Sequence, residues 1–365
     1  MKFKFIEILF LILVLIGTCC SKNLITEEFT NDAIGNYDAV WSEFDRNYGA
    51  FEAKKINWDS LYFVYRAQLN NNSSDQELYN AVTGLIANLN DGHVTLTASG
   101  FKLFISCKNN LRPHFPDSKE YESTADLQKF FNLITTKYLS SPSYGTYYIS
   151  GFIKNSFTIK NIGYLYISTF VASLYPEKAI DDAMKKFENA DAIILDLRFN
   201  GGGATETLLH LLEKFADKRR FFLQSKLRNG LGEKDFTKIY KHYFSPAVKA
   251  FTPKPVMLLV NKFTASSSEH VFLGMKTLPY ITSLGDSTCG ALSTVQDKLM
   301  PNGWQFRCCP QVLLDTTGKY LSDSKGRYPD GFGFAPDIRV INTLAEIISG
   351  YDGILKKAVD IINKK

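Results

Sequence analysis

The sequence predicts an α/β protein, a largely parallel sheet with helices, preceded by a small helical subdomain. Two observations carry this expectation. After residue 160, apolar runs at 162–168, 192–197, 256–260 and 281–284 read as strands, and they alternate with helical stretches at 176–187, 205–215 and 268–277. Before residue 90 the periodicity is helical instead, with apolar residues at 78, 82, 85, 86 and 89 in the clearest segment.

Taken in order, residues 1–19 read as a signal peptide: Lys2 and Lys4 precede an apolar run at 8–16, followed by Gly17-Thr18-Cys19-Cys20-Ser21-Lys22. The run is shorter than the roughly 20 residues of a membrane-spanning helix. Small residues leading into cysteine resemble a bacterial lipoprotein processing site, at which the cysteine becomes the acylated first residue, and both Cys19 and Cys20 fit. The expectation is a lipid-anchored protein of the bacterial cell envelope, facing the periplasm or exposed at the surface.

Residues 20–97 form the expected helical subdomain, with a helix starting at Trp58 behind Asn57 and a closing turn at Asn90-Asp91-Gly92-His93 that leads into a strand. Residues 98–160 read as a connecting or inserted region with a helix-like stretch near 123–138, residues 161–345 as the α/β core, and residues 346–365 as a C-terminal helix.

Composition narrows the function. The 365 residues are 45% apolar and 22% charged, which is ordinary for a folded chain. A net charge of +5, from 42 basic and 37 acidic residues with no basic stripe, gives nucleic-acid binding no support. Cys107, Cys289, Cys308 and Cys309 show no C-x-x-C spacing, so neither a structural zinc nor another cofactor is expected. Outside the cytoplasm a disulfide is permitted. Cys308 and Cys309, adjacent on a strand, would face opposite ways, so at most one could meet Cys289; free buried thiols are the alternative.

Two loops carry candidate chemistry. Asp196-Leu197-Arg198-Phe199-Asn200-Gly201-Gly202-Gly203 is a strand opening into a triple-glycine loop before a helix. It satisfies neither G-x-x-x-x-G-K-[ST] nor G-x-G-x-x-G, so an oxyanion hole fits better than a phosphate site, with a simple tight turn as the structural alternative. Phe263-Thr264-Ala265-Ser266-Ser267-Ser268-Glu269-His270 places three serines between a strand and a helix. Ser266 and Glu269 form an S-x-x-E capping box, and a serine on such a turn is also where a helix N-terminus can stabilise an oxyanion. His93, on its glycine-containing turn, is the candidate base. His270, four residues after Ser266, is the second candidate.

The segments GYLYIS, ILDLRFNGGG, VMLLVNKFTASSSE, LGDSTCG and DGFGFAPDI resemble, in order and spacing, the tail-specific or C-terminal processing serine peptidases. They are most similar to the branch of the tricorn core protease and the interphotoreceptor retinoid-binding protein repeats. The resemblance covers about 160–345 and extends to about 35 through the helical segment. It implies a ClpP/crotonase-like fold with Ser266 as nucleophile, Ser267 and Gly201 or Gly202 as oxyanion donors, and Glu269 as a cap. The lysine base of the processing branch is absent, because that position holds Ala291. In the tricorn-like branch a histidine at the position of His93 serves, assisted by a glutamate where this chain has Asp330. Gly92 replaces the serine that precedes that histidine in the tricorn protein. No PDZ domain is recognisable between the DGH turn and the core.

The resulting expectation is an extracytoplasmic serine peptidase acting on a peptide or protein substrate through an acyl-enzyme on Ser266. The alternatives are a non-catalytic ligand- or peptide-binding protein on the same fold, and an esterase using the same serine.

Overall fold

The computed structural model describes residues 29–107, 124–174, 176–232, 234–247 and 251–364; the signal segment with Cys19 and Cys20 lies outside them. In chain order the elements are α1 (Ala33–Asn47), α2 (Phe51–Lys54), α3 (Trp58–Arg66), α4 (Asp75–Ala87), β1 (Thr95–Thr97), β2 (Phe104–Ile105), α5 (Thr124–Leu133), β3 (Leu139–Tyr144), β4 (Tyr148–Ile153) and β5 (Ile162–Ile167). There follow α6 (Pro176–Lys186), β6 (Ala192–Asp196), α7 (Thr205–Phe215), β7 (Arg220–Leu227), β8 (Tyr240–Phe244), β9 (Val256–Val260), α8 (Ser267–Met275) and β10 (Ile281–Gly285). The chain closes with β11 (Gln296–Leu299), β12 (Gln305–Cys308), β13 (Gln311–Leu314), β14 (Ile338–Arg339), α9 (Leu344–Ile348) and α10 (Gly353–Lys364).

The main sheet has seven strands in the order β14-β10-β9-β6-β5-β4-β3. From β5 to β14 the pairings are parallel, whereas β3 and β4 extend the sheet antiparallel. Alternate side chains of the central strands enter two cores. Leu165, Ile193, Leu195 and Leu258 face α6, α7 and α8, while Tyr164, Ile194, Met257 and Leu259 face the other way, toward α10. Burial on both faces is why these strands are almost wholly apolar. A third core joins α1 to α4 to β1 and β12 through Tyr37, Phe44, Trp58, Leu85 and Phe306.

Three expectations need correction. The region 98–160 is not a separate connector, because β3 and β4 complete the main sheet. The mixed, part-exposed residues of β3, LSSPSY, mark it as the edge strand, while β4 lies inside it and is mostly buried. The helical subdomain is not closed at residue 97, since β1 pairs with β12 and shares a four-stranded sheet with the core. The C-terminal helix is two helices, α9 and α10.

A buried charge triad fixes the end of β6. Arg198 is 1% exposed and donates from Nε to Asp196 Oδ1 at 2.9 Å and from a terminal nitrogen to Asp352 Oδ2 at 2.9 Å. Tyr164 Oη adds a bond to Asp196 at 2.8 Å. The start of α10 is thereby tied to the strand that carries the glycine loop.

Candidate active site

Parallel pairing decides where the two candidate loops meet. β6 and β9 are neighbours, with Asp196 opposite Leu259, so the triple-glycine loop and the serine turn leave the same edge side by side. That carboxyl-end edge is where ligands bind in open α/β sheets.

Ser266 heads α8 with φ 59° and ψ −125°, a left-handed conformation uncommon for a residue with a side chain. Such strain persists only where the surroundings over-determine it. Here the Ser266 N–H donates to the Ala291 carbonyl at 3.0 Å and to the Glu269 carboxylate at 3.2 Å. Ala265 N–H reaches the Asn200 carbonyl at 3.0 Å, and Ser267 Oγ donates to the Gly203 carbonyl at 2.5 Å. The turn is thus stitched to both neighbouring loops.

The glycine loop presses directly on the serine. A Cβ at Gly202 would lie 2.7 Å from Ser266 Cβ and 2.9 Å from Ser267 N, and its φ of +94° independently favours glycine. Of the two predicted loop donors, Gly202 is corrected: its N–H already donates to Asn200 Oδ1 at 2.9 Å, because the asparagine folds back over the turn. Gly202 is a close-approach residue. Of that pair, Gly201 is left as the candidate donor, and it is exposed. Ser267 occupies the first helical position, whose N–H has no intrahelical acceptor.

His93 reaches the site from the other side. A Cβ at Gly92 would stand 3.0 Å from Ala291 Cβ, and Ala291 is the residue whose carbonyl holds Ser266. A serine at 92 would therefore press on Ala291. His93 Nδ1 is enclosed without a partner, and no hydrogen bond joins the ring to Ser266 among the described residues. Burial holds the imidazole below its ordinary 6.5, against an upward pull from Asp91. Neutral imidazole is the form a general base requires.

His270 is placed otherwise. Its Nε2 lies 3.0 Å from the Leu292 carbonyl, so that nitrogen carries the proton, and burial pushes its pKa down to about 4. That nitrogen is spent on a main-chain acceptor.

Asp330 makes no hydrogen bond to the His93 ring among the described residues. Its Oδ1 accepts from Leu292 N–H at 3.2 Å, and its Oδ2 lies 3.7 Å from Lys54 Nζ. Burial first, and then the neighbouring Asp91 charge, push its carboxyl well above the usual carboxylate range.

Family comparison agrees with this arrangement of strands and loops. Peptidase family S41 matches residues 161–340, and the tricorn protease C1 domain matches residues 29–86. The chain belongs to peptidase family S41. This S41 chain is 28% identical over 179 residues to the carboxy-terminal processing protease CtpA of Bacillus subtilis, a stretch covering 48% of the chain and 36% of that relative. The chain thus spans about a third of the length of the curated relative it matches. Among solved structures it is similar to a putative peptidase from Parabacteroides merdae, with TM-score 0.73 and 25% identity over 91% of this chain and 97% of that one. Mature CPAF shares the fold, with TM-score 0.65 and 11% identity over 91% of this chain and 96% of that one.

Several residues that shape the S41 site were not singled out by sequence reasoning. Glu269 does more than cap: its buried carboxylate also accepts from Thr288 Oγ1 at 2.6 Å and from Gly290 and Ala291 N–H at 2.8 Å each. Burial lifts its pKa to about 7 against these three donors and the Ser266 N–H. Asn200 bridges the glycine loop and the serine turn. Lys54 and Asp91 come from the helical side, and the spacing S-x-x-E was the one signal that pointed to any of the four. The cysteines at 107, 289, 308 and 309 are all buried, and no disulfide joins them among the described residues.

Proposed function

We propose that this chain is an extracytoplasmic serine peptidase, with Ser266 as nucleophile and His93 as general base. The observation that carries the reading is the strained Ser266 turn, held against the glycine loop on one side and on the other by Ala291, against which Gly92 of the DGH turn also packs. In this reading Ser266 Oγ attacks the substrate carbonyl carbon and His93 takes the hydroxyl proton. Gly201 and Ser267 N–H groups hold the oxyanion. The C–N bond breaks, His93 returns the proton to the leaving amine, and water resolves the acyl-enzyme by the same route.

Peptide hydrolysis tests this proposal. Purified wild-type protein should cleave an unstructured peptide mixture, including peptides with free C-terminal tails because the Bacillus relative is named for carboxy-terminal processing. Ser266→Ala should cleave none while keeping its fold, since losing a cap costs only about 1 kcal/mol. Cleavage of activated esters alone would make it an esterase. Binding without turnover would favour a binding protein, a reading supported by Asp330 standing where the tricorn-like branch has glutamate.

Lipid anchoring through Cys19 or Cys20 is the proposed localisation, supported by Lys2, Lys4 and the apolar run before Gly17. Among the described residues no helix is long and apolar enough to cross a membrane. Replacing both cysteines with serine should move the protein from the membrane fraction to the soluble fraction of the cell envelope. Continued membrane association of the double variant would count against the lipid anchor.

A further inference from the structure

We propose that Asp91, rather than Asp330, is the carboxylate that positions and polarises His93. This inference rests on the serine peptidase reading and assigns the third member of its site.

The geometry is local and complete. Asp91 Oδ1 accepts the His93 main-chain N–H at 2.9 Å, and its carbonyl accepts Val94 N–H at 3.2 Å, so the acid clamps the turn that aims the imidazole. Its other oxygen is held by Tyr48 Oη at 3.1 Å. Asp91 is fully buried, and a carboxylate there acts through little solvent.

Asp330 Oδ1 accepts the Leu292 N–H, while its buried Oδ2 has no hydrogen-bond partner. Lys54 Nζ donates to the carbonyls of Leu89 at 2.7 Å and Asn90 at 3.1 Å while standing 3.7 Å from Asp330 Oδ2. That ammonium latches the end of the helical subdomain to the DGFG turn. Glycine contacts lock the same turns together: a Cβ at Gly331 would lie 2.2 Å from the Asn90 carbonyl, and one at Gly290 2.6 Å from the N atoms of Gly331, Phe332 and Gly333. Asp330 is thus a brace between turns.

The charges that face His93 come from three elements. Asp91 on its own turn draws the imidazole pKa up, and Arg307 on β12 pushes it down. His270 on α8 is close enough to feel its charge. Asp91 is one of two upward pulls on the imidazole, the other being a hydrogen bond to the Ser293 main chain, so removing the Asp91 charge should let the pKa fall further.

The test compares Asp91→Asn, Asp91→Ala and Asp330→Asn in the full chain with two readouts. One is the NMR titration of His93 in histidine-labelled protein; the other is the pH profile of the second-order rate of fluorophosphonate labelling. Asparagine keeps an acceptor for the His93 N–H and removes only the charge. Asp91→Asn should therefore shift both inflections to lower pH while keeping most of the high-pH rate, whereas Asp91→Ala should lose on the order of 10²-fold at every pH through misplacement of the base. Asp330→Asn should leave both inflections at their wild-type positions. Movement in Asp330→Asn with none in Asp91→Asn overturns the inference. If the wild type is never labelled but the NMR shift appears, the peptidase reading fails and the Asp91–His93 coupling stands. Labelling with an unmoved His93 titration in Asp91→Asn sinks the coupling alone.

Discussion

His93→Ala is expected to lose hydrolysis by a factor on the order of 10⁶, close to the effect of removing the serine itself, because nucleophile and base act as one unit. A serine hydroxyl is a weak nucleophile until a placed base accepts its proton. With Ala291 at the lysine position of the processing branch, no other candidate base but His270 presents itself. In the wild type, activity should be level above neutrality and should fall as pH drops through a value below 6.5, since burial lowers the His93 pKa. An inflection at or above 6.5 would contradict that environment. His270→Ala should keep turnover within about tenfold, a change of roughly 1.4 kcal/mol in the barrier; the reverse pattern would move the base onto the helix of the serine. Both histidines also set acid stability. Each is held below its unfolded value, so the unfolded chain binds more protons, and stability falls as pH drops from 6.5 toward about 4, the value to which His270 is pushed.

Arg198→Met is expected to destabilise the fold by about 3–5 kcal/mol, read as a lowered urea midpoint at unchanged slope. The cost arises because Asp196 and Asp352, both fully buried, would face each other without their cation. Methionine roughly preserves the apolar stem that packs beneath Phe130, whose ring lies 4.7 Å from the guanidinium carbon. The loss therefore reports charge rather than volume. A loss under about 1 kcal/mol, the range of an exposed ion pair, would show that the triad is not buried as described.

The legibility of this chain divides along physical lines. Val256–Val260 and Thr205–Phe215 occupy the bounds read from sequence, because a strand buried on both faces and an amphipathic helix each leave a local pattern. Leu139–Tyr144 went unread, since an edge strand with exposed serines carries little of that pattern, and so did Tyr148–Ile153, a mostly buried strand whose apolar run is broken by Ser150 and Gly151. Ser266 and the glycine loop were legible because short-range backbone demands, a strained turn and a close approach, restrict the residue types. The pairing of Asp330 with Lys54 was not, because Lys54 lies 276 positions earlier and approaches the carboxylate only after three turns have packed together. Asn200 was hidden similarly, its side chain gaining meaning only when Gly202 and Ile167 converge on it.

The central claim is that Ser266 is the reacting atom's owner, and the most direct measurement is peptide mapping of the protein after reaction with a fluorophosphonate. The account predicts one phosphonyl adduct on Ser266, absent from Ser266→Ala and retained in Ser267→Ala and Ser268→Ala. An adduct on Ser267 or Ser268, or undiminished labelling of Ser266→Ala, would contradict it.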